Sequence, residues 1–183
     1  MNLLEIKQPI LVDDVLPPQE NLEILKLLSS RPWGIQHETS NKSDKVLAAF
    51  DNNTAHTGFA HVTMDSIDHN YPGHPEDPLF IYARLITNLI LFKLNVPQPN
   101  LYRVHWNYYT QGQQGIGHRD HDSNRFISIL YNPHTTDGGT EILDKFYPDK
   151  MSQAKVFKSS WIHRGITVKK DKARASLNIV LFY

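Results

Sequence analysis

The sequence contains no cysteine, no surplus of charge of either sign and no apolar run long enough to cross a bilayer. Without a thiol there is no disulfide framework, no Cys-ligated zinc, no iron–sulfur cluster and no thiol nucleophile. Any metal must be held by histidine and carboxylate. Nineteen Lys and Arg balance nineteen Asp and Glu in 183 residues, which argues against a general binder of the phosphate backbone. The most apolar stretch, 79–94, contains Arg84, Thr87, Asn88 and Lys93 and is shorter than the roughly 20 residues a membrane span requires. Residues 1–7 show no basic region leading into an apolar one, so no secretory signal is visible. The expectation is a soluble, cytoplasmic protein with no membrane partner.

What is present is ordinary globular composition, 40% apolar and 21% charged, at a length suited to a single domain over 1–183. Pro17-Pro18-Gln19-Glu20 opens an amphipathic stretch, which predicts a helix over 18–30. Asp77-Pro78 starts a second helix. Leu79, Ile81, Leu85, Leu89, Phe92 and Leu94 mark its apolar face, and Asn95-Val96-Pro97 ends it. Between them, 31–78 is loop-rich, with two short strand-like runs, 46–50 and 58–63. After Pro99 the character changes to short strands separated by turns: 101–110, 125–131, 140–143, 155–158, 165–169 and 174–183. Residues 1–98 are thus expected to form a helical and loop support region, and 99–183 a β sandwich or barrel.

Two strands share an odd polarity. In 101–109, Tyr102, Val104, Trp106 and Tyr108 lie on one face; Arg103, His105, Asn107 and Tyr109 lie on the other. In 174–183, Ala175, Leu177, Ile179, Leu181 and Tyr183 oppose Arg174, Ser176 and Asn178. A half-buried sheet with one face in water gives this pattern. So does a barrel with an apolar outside under helices and a polar cavity inside.

His118-Arg119-Asp120 is a His-x-carboxylate pair whose imidazole and carboxylate project to one side of an extended segment. His163 is the best third ligand. Two histidines and a carboxylate make the facial triad of non-heme iron, which leaves three adjacent positions open. A lone His-x-Asp among ten histidines is weak evidence, but the surrounding order is not. Asn107-x-Tyr109-x-x-Gly112 precedes His118. Strand 125–131 and Gly138-Gly139-Thr140-Glu141 follow, then Phe157-x-Ser159 before His163, with Arg174-x-Ser176 eleven residues later.

Residues 101–183 thereby resemble the core of the 2-oxoglutarate- and Fe(II)-dependent oxygenases, in the prolyl 4-hydroxylase-like branch. That resemblance implies an α+β, mainly β fold: a double-stranded β-helix (jelly-roll) core flanked by N-terminal helices. It implies iron on His118, Asp120 and His163, with Arg174 and Ser176 holding the distal carboxylate of 2-oxoglutarate. Tyr109 and Tyr131 match positions where the family often has a cosubstrate-contacting tyrosine. It further implies O2 as cosubstrate, ascorbate as a reductant, and hydroxylation of an aliphatic C–H. The substrate would be a prolyl residue in a peptide or protein, or a small molecule. With this resemblance the cavity reading of the two polar faces overtakes the solvated-face reading.

There are departures. Gly138-Gly139-Thr140-Glu141 inverts the usual order, so these residues are given only a turn and strand role. The gap from His163 to Arg174 is slightly long, and a slipped register would offer Lys172 as anchor, although strand parity puts Lys172 in the turn. His121, Asp122 and Trp161 are candidates for the substrate or for supporting the ligands. A nucleic-acid demethylating oxygenase would need a second arginine six residues after the anchor, where Val180 stands. A zinc hydrolase could use the same triad but would leave Arg174 without a purpose. A metal-free jelly-roll binding module is the third rival. His37, His56, His61, His69 and His74 match no ligand spacing and read as surface or hydrogen-bonded residues. The glycine-rich 111–117 follows a strand and reads as a loop at the mouth of the site, not a phosphate cradle.

Overall fold

A computed structural model describes residues 1–36, 58–65, 73–113 and 115–183. Helix α1 spans Pro18–Ser29 and α2 spans Pro78–Leu94, both within a residue or so of expectation. Each begins with a proline in its first turn, where a missing N–H costs nothing. The Asp77 carboxylate accepts from Leu79 N at 3.1 Å and caps α2. Asn95, in the left-handed conformation at φ 51°, ends it. The face α2 buries differs from the expected one. Leu79, Ala83, Ile86 and Ile90 are inside, whereas Ile81, Leu85 and Phe92 are exposed. The helix is apolar on most of its circumference, so spacing alone does not single out the packed stripe.

The strands are β1 (Ile10–Val12), β2 (Gly34–Gln36), β3 (Gly58–Asp65), β4 (Asn100–Thr110), β5 (Phe126–Asn132), β6 (Gly139–Ile142), β7 (Lys145–Pro148), β8 (Gln153–Lys158), β9 (His163–Ile166) and β10 (Ala173–Phe182). The expected strand 46–50 lies outside the described residues. Two antiparallel sheets form, a major one in the order β1-β8-β5-β10-β4-β3-β2 and a minor one in the order β7-β6-β9. This is the double-stranded β-helix arrangement. The supposed support region is more than support, because β1, β2 and β3 all extend the major sheet. β7 was not legible either. It is reached by a tight turn whose two residues, Leu143 and Asp144, both have positive φ, and leucine there gives no hairpin signal.

Alternation resolves in favour of the cavity. Val104, Trp106, Ala175, Leu177, Ile179 and Leu181 pack with Ile24, Leu28, Leu79 and Ile86 between the major sheet and the helices. Burying each of the Val, Leu and Ile side chains among these stabilises the fold by about 1.5–3 kcal/mol. The opposite face of the same strands lines a cavity of about 170 Å³, closed by Thr140 of β6 and Gly165 of β9 from the minor sheet. Among the described residues, no helix is long and apolar enough to cross a membrane.

Candidate metal centre

His118 lies before β5 and His163 begins β9. Their backbones pair across the gap, His118 N to His163 O at 2.9 Å and His163 N to His118 O at 3.0 Å. This sets the rings 4.4 Å apart between centroids. His118 Nδ1 lies 2.9 Å from Ile116 O, and His163 Nδ1 lies 3.0 Å from Trp161 O. A carbonyl only accepts, so both Nδ1 atoms carry a proton, and in the neutral ring the lone pair then sits on Nε2. Asp120 stands between them, its Oδ1 3.8 Å from His118 Nε2 and its Oδ2 3.5 Å from His163 Nε2. One ligand atom from each of the three residues falls within 4.8 Å of the others. Two ligands bound at about 2.1 Å to one ion sit no more than about 4.2 Å apart, so the Nε2–Oδ separations suit a shared metal. His163 Nε2 is buried with no hydrogen-bond partner, the condition a bound metal would relieve.

The carboxylate is braced. Asp120 Oδ2 accepts from Ser128 Oγ at 2.6 Å and Asn178 Nδ2 at 3.1 Å, while Oδ1 accepts from the Arg103 guanidinium. Ser128 in turn meets Ser159 Oγ at 2.8 Å. Burial alone would raise the Asp120 carboxyl, but the Arg103 guanidinium and the Ser128 hydroxyl hold it well below the usual range. Burial pushes the His163 imidazole down to about 4, so it is neutral near pH 7. An ionised carboxylate beside the neutral His163 imidazole is the protonation state a divalent metal needs.

At the other end of the cavity Arg174 is buried against Asp149, donating from Nε at 2.6 Å and from one terminal nitrogen at 3.2 Å. The same terminal nitrogen donates to Thr140 Oγ1 at 2.9 Å. Gly165 lacks a side chain where a Cβ would come within 3.1 Å of the other terminal nitrogen, leaving that edge open to a ligand. The Tyr109 ring lies beneath the guanidinium, 6.0 Å from its centroid, and burial raises its phenol. Asp149 also accepts from Asn132 and Thr136, both at 2.9 Å, and lies 3.6 Å from the buried Lys155 ammonium. Burial would raise the Asp149 carboxyl, but Arg174, Lys155 and Thr136 bring it below its ordinary value. Ser176 lines the cavity one inward position along β10.

The structure thus brings His118, Asp120, His163, Tyr109, Arg174 and Ser176 into one cavity. Tyr131 is a correction. Its hydroxyl donates to Asn21 of α1, and its ring belongs to the helix-side core. It pairs in register with Leu177, whose side chain faces the helices, so parity carries it away from the cavity. His121 stacks on Phe126 with centroids 3.6 Å apart, and exposed Asp122 pairs with Arg119 at 3.7 Å. Neither lines the cavity. Trp161 acts through its backbone carbonyl on His163, while its ring packs by Leu130, Ile142, Tyr147 and Phe157. Lys172 lies in the exposed turn before β10, as parity requires. His61 approaches Pro32 O and Asp77, while His37, His56 and His69 lie outside the described residues. Sequence reasoning missed Thr140, Asp149 and Lys155 behind Arg174, and Ser128 and Asn178 behind Asp120. The polar Ser128 in the middle of the apolar run 126–131 was the available signal.

No protein-family model and no curated protein sequence matches this chain. Solved structures do resemble it. One is a viral collagen prolyl hydroxylase from Paramecium bursaria Chlorella virus-1 in complex with 2-oxoglutarate, 14% identical, covering all of both chains at a TM-score of 0.64. A second is an oxidoreductase of the 2OG-Fe(II) oxygenase family from Burkholderia pseudomallei, 12% identical, covering 97% of this chain and 87% of that one at 0.69. A third is HygX from Streptomyces hygroscopicus with nickel and 2-oxoglutarate bound, 8% identical, covering 96% and 82% at 0.66. The chain therefore has the jelly-roll fold that these structures share.

Proposed function

We propose that this protein is a 2-oxoglutarate-dependent, Fe(II)-dependent oxygenase that hydroxylates an aliphatic C–H. The observation that carries the reading is the pair of imidazole Nε2 atoms converging with an ionised carboxylate at one end of a cavity that has a braced arginine at the other. His118, Asp120 and His163 would hold the iron. Bound iron would supply oxygen activation, the overall reaction converting 2-oxoglutarate, O2 and R–H to succinate, CO2 and R–OH.

The chain's own part is orientation and exclusion of water. Ile116 O and Trp161 O fix the two imidazole tautomers. Ser128 and Asn178 fix the carboxylate. Asp149 and Thr140 hold the Arg174 guanidinium with one edge open, which would receive the distal carboxylate of 2-oxoglutarate in the two-point fit that a planar fork favours. Tyr109 and Ser176 complete that end. The cavity lies between the two sheets, where charge interactions are poorly screened.

The structural likeness to a collagen prolyl hydroxylase admits a prolyl residue in a peptide as substrate, and a small molecule is the alternative for the same cavity. A zinc hydrolase gains no support, because the braced arginine opposite the triad would have no role in it. The test is succinate formation and Fe(II)- or Mn(II)-dependent binding of 2-oxoglutarate by metal-loaded protein. Both should vanish in His118→Ala. Metal-loaded wild-type protein that fails to bind 2-oxoglutarate would refute the proposal.

A further inference from the structure

We infer that Arg103 receives a carboxylate of the substrate, so that the site acts on a small acid and not on an uncharged stretch of peptide. The inference rests on the oxygenase reading and names the substrate class for the same cavity. On β4 the inward positions run Tyr109, Asn107, His105, Arg103, and on β10 Tyr109 pairs with Arg174 while Arg103 pairs with Val180. Six residues of strand separate the two arginines, roughly 20 Å of backbone. Arg103 stands on Asp120 at the metal end of the cavity and Arg174 on Asp149 at the other, so the distal carboxylate of 2-oxoglutarate held by Arg174 does not account for Arg103.

Arg103 is left with unused donors. One terminal nitrogen serves both Asp120 Oδ1 and Asn178 Oδ1, while its Nε–H is buried with no partner. Its side chain is 19% exposed, against 1% for Asp120, so it sits on the open side of the carboxylate. Asp120 Oδ2 already accepts from Ser128 and Asn178. A metal held by Asp120 would share that carboxylate with Arg103. A guanidinium and a dication on one carboxylate repel each other, which favours a further anion on the unpartnered Nε–H of Arg103. A guanidinium meets a carboxylate best through Nε and a terminal nitrogen together.

The surroundings suit a small polar acid. Asn178 and His105, the latter kept neutral by burial and by Arg103, flank Arg103 on the cavity wall. Asp65 lies on the neighbouring strand, 3.4 Å from His105 Nε2, and its negative charge disfavours a second carboxylate nearby. Among the described residues, Leu130 is the sole aliphatic side chain lining the cavity, a poor bed for a prolyl ring in a peptide.

The experiment uses protein loaded with Mn(II) and 2-oxoglutarate without oxygen, and reads binding by saturation-transfer NMR. The probes are the free L-amino acids and short hydroxy acids, each beside its own amide. At least one acid should bind about tenfold or more tightly than its amide. Arg103→Leu should erase that difference, and Arg103→Lys should keep part of it. Arg103→Gln, which keeps a hydrogen bond to Asp120, repeats the test should the leucine variant fail to fold. Two results overturn the inference: no acid preferred over its amide, or a preference unchanged without Arg103, as when Arg103 merely turns to Asp65. A loss of 2-oxoglutarate binding in the Arg103 variants would also overturn it, assigning Arg103 to the cosubstrate and sparing the oxygenase reading. Wild-type protein unable to bind 2-oxoglutarate would remove that reading, and the inference with it.

Discussion

Replacing Asp149 by asparagine changes one atom and should unseat the interior of the molecule. Asp149 is buried and accepts four hydrogen bonds, two from Arg174 and one each from Asn132 and Thr136, with Lys155 at 3.6 Å. Asparagine leaves two buried cations without their counter-ion. It also turns an NH2 toward groups that can only donate, such as Arg174 Nε. Removing one partner of a buried pair costs about 3–5 kcal/mol. For a chain of this size, at about 2–4 °C per kcal/mol, Tm should fall by roughly 6–20 °C. Urea unfolding, read by circular dichroism, should show a lower midpoint at an unchanged slope. Adding Lys155→Met removes one stranded cation and should recover part of the loss. The pH dependence has a definite sign. Since the folded carboxyl lies below its ordinary value, its contribution is present above about pH 4, the unfolded value, and is lost on further acidification. Asp149→Asn should flatten that acid limb. A loss under about 1 kcal/mol, or an acid limb as steep as wild type, would refute the account of Asp149 as the shared counter-ion.

Arg174→Lys should weaken 2-oxoglutarate binding by about 10–100-fold, since an ammonium cannot reproduce the fork; isothermal titration with Mn(II) present would measure it. Tyr131→Phe should lower stability by about 1 kcal/mol through its bond to Asn21 and leave 2-oxoglutarate affinity unchanged, which checks its placement outside the cavity. Mn(II) or Ni(II) at about 100 times its Kd should stabilise the protein by about 2.7 kcal/mol, seen as a rise in Tm that a chelator reverses and His163→Ala abolishes. Gly165→Val should weaken 2-oxoglutarate binding selectively, because a side chain there meets the open edge of Arg174; thermal unfolding alongside the titration separates this from misfolding.

Sequence reasoning reached the jelly roll because β4 and β10 wear their two faces openly. One face is aliphatic and aromatic, the other carries Arg103, His105, Arg174 and Asn178. It failed where that contrast is absent. Every residue of β5 is buried, so polarity did not tell which side Tyr131 faces. Counting from Ser128, which reaches Asp120, places Leu130 in the cavity and Tyr131 against α1. Asp149 was invisible for another reason. It lies in the connection from β7 to β8 and meets Arg174 across 25 residues, a distance over which no local pattern speaks. The three-residue strands β1 and β2 are too short for alternation to register. In α2 the reverse problem arose: too many apolar residues concealed the stripe that packs.

Three basic and three acidic groups line or brace the cavity: Arg103, Lys155 and Arg174 against Asp65, Asp120 and Asp149. Their charges sum to zero. A dication entering alone would leave two positive charges unanswered in a poorly screened interior, and a dianionic cosubstrate alone would leave two negative ones. Entering together they cancel. Metal and 2-oxoglutarate should therefore help each other bind, and by linkage the factor by which one tightens the other must be identical in both directions.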